Sequence, residues 1–377
     1  MDFESELRSK WFTEFQKQVD LTKAYPEAFS SIFYKLDGDR EVYVDFNNGT
    51  CYTLDGESKG APDSDTLWRI GSVTKMYTAS AAFQLIEQGL LDRTAPVADY
   101  LPWLQDQVKE QNLLVQDLLQ HTTSFDEGGL WNKWPVDFPH SPTPHKDSFQ
   151  KFTTDYIDKV GVFGGPSYSN QGWVLLGAIV EEIVGNPLGD YLKRNIFSNL
   201  DIKSSGFSYQ QPNLNNLCFS KDAKANLELF DVEGYATGDM VSNPKDVLRF
   251  FRAMLNNGKG IFKSQSTMDL MKKPMYYHDW YGENGYINGF EFQQHGSIKI
   301  WTKGGAIPGF SSFAFIIPEF NEAGVFFSSP LIHHYPKALN AYLNILHPSE
   351  LNAVSSKYKF AQPTLQNIAA TQKVKVL

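Results

Sequence analysis

Between residues 3 and 19 the apolar positions Phe3, Leu7, Trp11, Phe12, Phe15 and Val19 recur near helical spacing, with charged residues between them. That pattern predicts an amphipathic helix. From Ser31 to Phe46 it changes to β-branched and aromatic residues on both sides of Leu36-Asp37-Gly38-Asp39, which predicts a hairpin with an Asp-Gly turn. From Ser72 the helical period returns. Met76, Ala79, Ala82, Phe83 and Ile86 share one face, and Gly89 is placed to end the helix.

Residues 96–235 are richer in helix signals and in long loops. The stretch from Pro135 to Pro144 holds four prolines in ten residues and predicts an irregular loop. Trp173 to Val184 reads as a strongly apolar helix ending at Gly185. Asn243-Pro244 opens another, running through Val247, Phe250, Phe251 and Leu255 to Gly258, with proline at a favoured first-turn position. Ile287–Phe292, Ser297–Thr302, Ser311–Ile317 and Ala323–Ser328 are short β-rich runs divided by Gly and Pro, and 334–347 is helical again. The last thirty residues are polar and poorly patterned, and no internal repeat or low-complexity tract occurs. This order predicts an α/β protein of the α+β kind. Both chain ends, 1–95 and 236–377, would build one antiparallel sheet flanked by helices, with a mainly helical region, 96–235, inserted between them.

Composition narrows the classes of function. The 377 residues suffice for two ordinary domains or one large domain with an insertion. Apolar residues at 42 % and charged residues at 20 % exclude a disordered chain, a collagen-like chain and a coiled coil. A net charge of −9 counts against nucleic acid and anionic membrane surfaces as partners, because both need clustered Lys and Arg. No stretch approaches the roughly 18–20 apolar residues of a membrane span. The N-terminal MDFESELRSKWFTEFQ is too charged to be a signal-peptide core. Cys51 and Cys218 lie far apart and match no metal or redox spacing, which suits a reducing compartment; a cytoplasmic location is expected. The eight histidines form no helical ligand pair, so no metal is assigned, and the adjacent His333 and His334 are read as surface residues.

Three short patterns could carry chemistry. In Arg69-Ile70-Gly71-Ser72-Val73-Thr74-Lys75, Ser72 stands three residues before Lys75 at a helix start, which puts both side chains on one face. The helix dipole favours a developing serine alkoxide, and a lysine among apolar residues and near a second cation can act as a base. Ser-x-x-Lys also occurs at 148–151, 242–245 and 356–359, so the pattern alone does not single out Ser72. Tyr168-Ser169-Asn170 precedes the helix at Trp173 and offers a proton-shuttling phenol and an orienting amide. Tyr-x-Asn recurs at 286–288 and 342–344, and a packed tyrosine with a capping Asn is the plainer reading. Thr302-Lys303-Gly304-Gly305-Ala306 ends a predicted strand, where glycines let substrate lie along the edge and a backbone N–H can serve an oxyanion hole. Its plainer reading is a hairpin turn with a solvated lysine.

In this order and these contexts, the three patterns resemble the serine β-lactamase and penicillin-binding-protein-like hydrolases, in particular the class C β-lactamase-related family. The resemblance runs from about residue 30 to 330. It includes Asp65-Thr66-Leu67-Trp68-Arg69-Ile70-Gly71-Ser72, Leu118-Leu119-Gln120-His121-Thr122-Thr123, Tyr168 to Gly177 with Glu181 to Gly185, Gly238 to Phe250, and Gly309-Phe310. It implies a β-lactamase/transpeptidase-like fold and an acyl-enzyme mechanism without a cofactor. Ser72 would attack a carbonyl while Lys75 and Tyr168 share the proton traffic. Backbone N–H groups of Ser72 and Ala306 would hold the oxyanion, Asn170 would orient Lys75 or the substrate amide, and Lys303 would supply positive potential behind Tyr168. His121 is read as a structural hydrogen-bonding residue.

The chain departs from the family in one place that bears on substrate. Lys303-Gly304-Gly305 stands where related β-lactamases carry Lys-Thr-Gly, so the hydroxyl that helps hold a β-lactam or peptide carboxylate is missing. No Gly-x-Ser-x-Gly elbow is present. The reading is therefore a serine hydrolase or acyltransferase acting on a small hydrophobic ester or amide, an esterase or transesterase first. A D-amino peptidase, carboxypeptidase or β-lactamase of the same family is the alternative. Trp131, Trp134, Tyr276, Tyr277, Trp280 and Tyr281 fall in predicted loops and are candidate pocket walls. A non-catalytic scaffold is the reading from another class, disfavoured because a scaffold has no physical need of both Lys75 and Tyr168. Nothing in the sequence signals an oligomeric state.

Overall fold

Asp2 caps the first helix, its carboxylate accepting from the Ser5 amide at 2.8 Å. That helix, α1 (Phe3–Asp20), buries Phe3, Leu7, Trp11, Phe15 and Val19 along one stripe. Phe12, grouped with that stripe from the sequence, sits one position off it and is half exposed. These features belong to a computed structural model, which describes residues 2–21, 25–104, 113–123, 168–210, 216–223, 235–273, 276–277, 284–295, 297–330 and 335–350.

The predicted hairpin is present as β1 (Ala28–Asp37) and β2 (Arg40–Gly49), paired from Asp37↔Arg40 at the turn to Ala28↔Gly49. Five short strands follow: β3 (Cys51–Tyr52), β4 (Ser58–Gly60), β5 (Trp68–Arg69), β6 (Gly206–Phe207) and β7 (Met240–Ser242). The C-terminal part supplies β8 (Tyr276–Tyr277), β9 (Asn284–Ile287), β10 (Phe290–His295), β11 (Ile298–Ile307), β12 (Phe310–Ile317) and β13 (Glu322–Ser329). The main sheet is antiparallel, in the order β2-β1-β13-β12-β11-β10-β9-β8, so strands from the two chain ends meet where β1 pairs with β13. Two expectations shift. The run Ile287–Phe292 is broken by a turn at Asn288-Gly289, and β11 continues five residues beyond Thr302.

Every residue of β12 and β13 is buried, because helices cover both faces of the sheet. One face presents Phe29, Phe33, Phe313, Phe315 and Phe326 to α1 and to the C-terminal helix Tyr335–Leu346, whose Tyr342 ring lies 5.1 Å from that of Phe33. The opposite face carries Ile32, Ala314, Ile316, Val325 and Phe327 into the larger core. Among the helices in that core are α2 (Thr74–Glu87), α3 (Asn170–Val184) and α4 (Pro244–Leu255). Asn243 caps α4 by accepting from the Asp246 amide at 2.8 Å, as the Asn-Pro signal predicts. Among the described residues no helix is long and apolar enough to cross a membrane.

The cysteines are joined. Cys51 and Cys218 form a disulfide across 167 residues of chain, with Cα atoms 4.7 Å apart. Spacing could not disclose this pair, because tertiary pairing creates it. Tyr52 bridges Phe219, and the Cys218 amide donates to the Leu67 carbonyl at 3.0 Å. The crosslink therefore ties the segment leading into β5 to the β2–β3 end of the molecule.

Candidate active site

β5 delivers the chain into a single tight turn, Gly71–Val73, from which α2 springs at Thr74. The turn is fixed from two sides: the Ile70 amide donates to Met240 of β7 at 2.9 Å, and the Ser312 hydroxyl of β12 donates to the Ile70 carbonyl at 2.6 Å. Strand β11 passes directly against it. A Cβ on Gly305 would lie 2.1 Å from the Ile70 carbonyl oxygen and 3.0 Å from the Ser72 nitrogen; one on Gly71, at φ +48°, would lie 2.9 Å from the Ala306 nitrogen. Two glycines thus allow backbone-to-backbone approach and make Ser72 and Ala306 spatial neighbours.

One helical turn on, Lys75 is completely buried. Its Nζ donates to Ser72 Oγ at 3.0 Å, Asn170 Oδ1 at 2.8 Å, and the Thr237 carbonyl and hydroxyl oxygens at 3.0 Å each. Four oxygens around a group with three protons solvate an ammonium better than a neutral amine. Asn170 reaches the site because Ser169 caps α3, accepting from the Gly172 amide at 3.0 Å, and so starts the helix at Asn170.

Tyr168 approaches from the other side, its hydroxyl donating to Ser72 Oγ at 2.8 Å. Both lysines lie near its ring, with Nζ of Lys75 5.0 Å and Nζ of Lys303 5.1 Å from the ring centre. Burial pushes the phenol toward its neutral form, but the two ammonium groups outweigh it and the pKa falls below the ordinary value. Lys303, on the interior of β11, is fully enclosed and donates to Glu291 Oε1 of β10 at 2.8 Å. Burial alone would lower the lysine pKa; Glu291 and Tyr168 overcome it, and the group is held above its usual range. The reading of a solvated lysine in a hairpin turn is overturned.

His121 stacks on Tyr168, ring centres 4.4 Å apart and 20° from parallel. The Ser169 amide faces its Nδ1 at 2.9 Å and the Trp173 indole N–H faces its Nε2 at 3.1 Å. A neutral imidazole offers one lone pair, so one of these contacts at a time is a full hydrogen bond. Burial first, then the two lysine charges, hold the ring well below its usual pKa. His121 thus backs the Tyr168 ring, held in place by the Ser169 and Trp173 N–H groups.

The sequence model of the family described as Beta-lactamase matches residues 38–343. This chain belongs to the beta-lactamase family. It is similar to the N-acetylmuramyl-L-alanine amidase of Bacillus subtilis (strain 168), 28 % identical over 250 residues, covering 55 % of each chain. It is also similar to a Beta-lactamase of Providencia stuartii, 27 % identical over 237 residues, covering 61 % of this chain and 56 % of the other. The chain thus spans little more than half the length of these curated relatives. Among solved structures it resembles the octameric penicillin-binding protein homologue from Pyrococcus abyssi, with a TM-score of 0.70 and 20 % identity, covering 92 % of this chain and 77 % of that one.

Of the residues expected to form a beta-lactamase-family site, Ser72, Lys75, Tyr168, Asn170, Lys303, Gly305 and Ala306 converge on the nucleophile turn, and Gly304 lies in β11 opposite Phe313. The competing Ser242 and Lys245 do not meet: Ser242 pairs with Ser205 and Lys245 with Asp65. The matches at 148–151 and 356–359 lie outside the described residues, as do the candidate walls Trp131, Trp134, Trp280 and Tyr281. Tyr276 and Tyr277, expected in a loop, form edge strand β8, with Tyr276 opposite Tyr286 of β9. Tyr286 itself reaches the site, its ring 5.8 Å from that of Tyr168. Among the described residues no cluster of three or more His, Cys, Asp or Glu could hold a metal. Two site residues had no recognisable signal, Thr237 and Glu291. Glu291 is opposite Thr302 across β10–β11, a register that local pattern does not announce.

Proposed function

We propose that the chain is a serine hydrolase or acyltransferase that forms an acyl-enzyme on Ser72. The reading rests on one observation: Ser72 Oγ sits between Lys75 Nζ at 3.0 Å and the Tyr168 hydroxyl at 2.8 Å. With Lys75 occupied as an ammonium, the phenolate form of Tyr168 is the better base. It takes the Ser72 proton as Oγ bonds to the carbonyl carbon, and the carbonyl electrons move onto oxygen beside the Ser72 and Ala306 amides. Collapse of that intermediate expels the leaving group, which receives the proton from Tyr168. Water or another acceptor then releases the acyl group by the same steps in reverse.

Within that class we favour a small hydrophobic ester or amide. Aromatic Tyr286 and Tyr168 border the nucleophile, and Gly304 offers no hydroxyl to a β-lactam carboxylate. Short-chain p-nitrophenyl ester hydrolysis is expected to exceed nitrocefin hydrolysis at least about tenfold, a gap of about 1.4 kcal/mol; Gly304→Thr should narrow it. In place of a cytoplasmic location we propose an oxidising compartment, supported by the Cys51–Cys218 disulfide.

The deciding experiment is fluorophosphonate labelling followed by peptide mass spectrometry. Label on the peptide carrying Ser72, lost in Ser72→Ala with the melting temperature kept, supports the reading. Label on another serine, or none, overturns it.

A further inference from the structure

The ion pair at the end of the site has an unusual division of exposure. Lys303 has no exposed side-chain surface, whereas Glu291, its partner at 2.8 Å, keeps 28 % of its side-chain surface exposed. Glu291 Oε1 is committed to Lys303. A carboxylate can accept at two oxygens, and the described contacts use one for a charged partner. The pair is formally neutral, and its open member is the anion.

A buried ammonium beside a nucleophile attracts a substrate carboxylate only if its charge is left uncompensated. Here the charge is compensated by Glu291 at 2.8 Å, with the Tyr168 ring centre 5.1 Å away. A substrate carboxylate arriving along β11 would displace or oppose Glu291, and like charges a few ångströms apart in a partly desolvated site cost binding energy. Next to Lys303, Gly304 has no side-chain donor to offset that cost. The only solvent-facing charge on the pair therefore repels anions and tolerates neutral or cationic groups.

We infer that Glu291 sets charge selectivity: the site takes acyl donors that are uncharged beside the scissile carbonyl and rejects those bearing a carboxylate there. Glu291 acts through Lys303 and touches no reacting atom, so it is a positioning and specificity residue. The inference rests on the proposed Ser72 acyl-enzyme and deepens it by naming the substrate class.

The test uses the full chain and two p-nitrophenyl esters of the same length, one with an acyl chain ending in a carboxylate and the other in the corresponding methyl ester. Wild-type kcat/KM should favour the neutral ester at least tenfold. In Glu291→Gln the preference should shrink at least threefold, because the uncompensated Lys303 then attracts the carboxylate; dividing the two rates removes any general loss of activity. Raising the salt concentration should narrow the wild-type preference, a response that mere packing around Glu291 would not give. Equal wild-type rates overturn the inference whether or not the variant folds, and so does an unchanged ratio in a folded Glu291→Gln. Failure to turn over even the neutral ester, without Ser72 labelling, overturns the proposed function instead.

Discussion

The Tyr168 hydroxyl lies 2.8 Å from Ser72 Oγ although 96 residues separate them in the chain. The same phenol ring has two ammonium nitrogens about equally close to its centre, Lys75 at 5.0 Å and Lys303 at 5.1 Å. A phenol in that position is shifted toward its anion, and the hydroxyl it faces is the one with a second cation attached.

Tyr168→Phe keeps the ring and its stack on His121 but removes the proposed proton carrier. Single-turnover acylation should slow by about 100-fold or more, the usual scale for a lost acid–base group. The melting temperature should change little. A near-normal acylation rate would leave Lys75 as the sole base, and a collapsed melting temperature would make Tyr168 a packing residue.

Lys303→Met removes one of the two charges that lower the Tyr168 pKa. The sign is fixed: with less positive charge nearby the phenolate is harder to form, so the Tyr168 pKa rises. The proposed mechanism needs the phenolate, so activity should be lost as pH falls through that pKa. The acidic limb of kcat/KM against pH should therefore move to higher pH in Lys303→Met. A limb that stays put would separate Lys303 from the titration, which belongs to the coupled Tyr168, Lys75 and Lys303 set.

Gly305→Ala places a methyl where 2.1 Å separates it from the Ile70 carbonyl oxygen and 3.0 Å from the Ser72 nitrogen. The clash is with backbone, so β11 or the Gly71–Val73 turn must move. The proposed oxyanion donors depend on that spacing, and kcat should fall at least tenfold, toward the 10²–10³-fold seen on loss of one donor. Circular dichroism and the melting temperature would separate this local displacement from unfolding. Unchanged kcat in a folded variant would detach Ala306 from the oxyanion hole.

Reduction of Cys51–Cys218, or replacement of both cysteines by serine, opens a crosslink spanning 167 residues. Loop-closure entropy for so long a segment is worth about 5 kcal/mol, an upper figure because denatured chains retain structure. The melting temperature should fall clearly with reductant, and thiol titration of the unfolded, unreduced protein should find no free cysteine. Two titratable thiols and an unchanged melting temperature would refute the crosslink and restore the case for a reducing compartment.

Much of this protein was legible in one dimension, because the forces concerned act over a few residues. Helical period and caps announced α1, α2, α3 and α4, and alternation around Asp37-Gly38 announced the β1–β2 hairpin. Three motifs in order pointed to Ser72, Lys75, Tyr168 and Lys303. What no single motif could determine is which Ser-x-x-Lys serine gains partners from elsewhere in the chain, since Ser72 and Ser242 both precede a lysine by three residues. Tertiary structure decided that: only around Ser72, among the described matches, does a distant phenol arrive. It also decided that Lys303 is buried and paired, that Thr237 solvates Lys75, and that Cys51 meets Cys218. Charge compensation, desolvation and crosslinking depend on which distant segments lie side by side. Sheet register and backbone contact at Gly71 and Gly305 set those neighbours, and no local pattern encodes them.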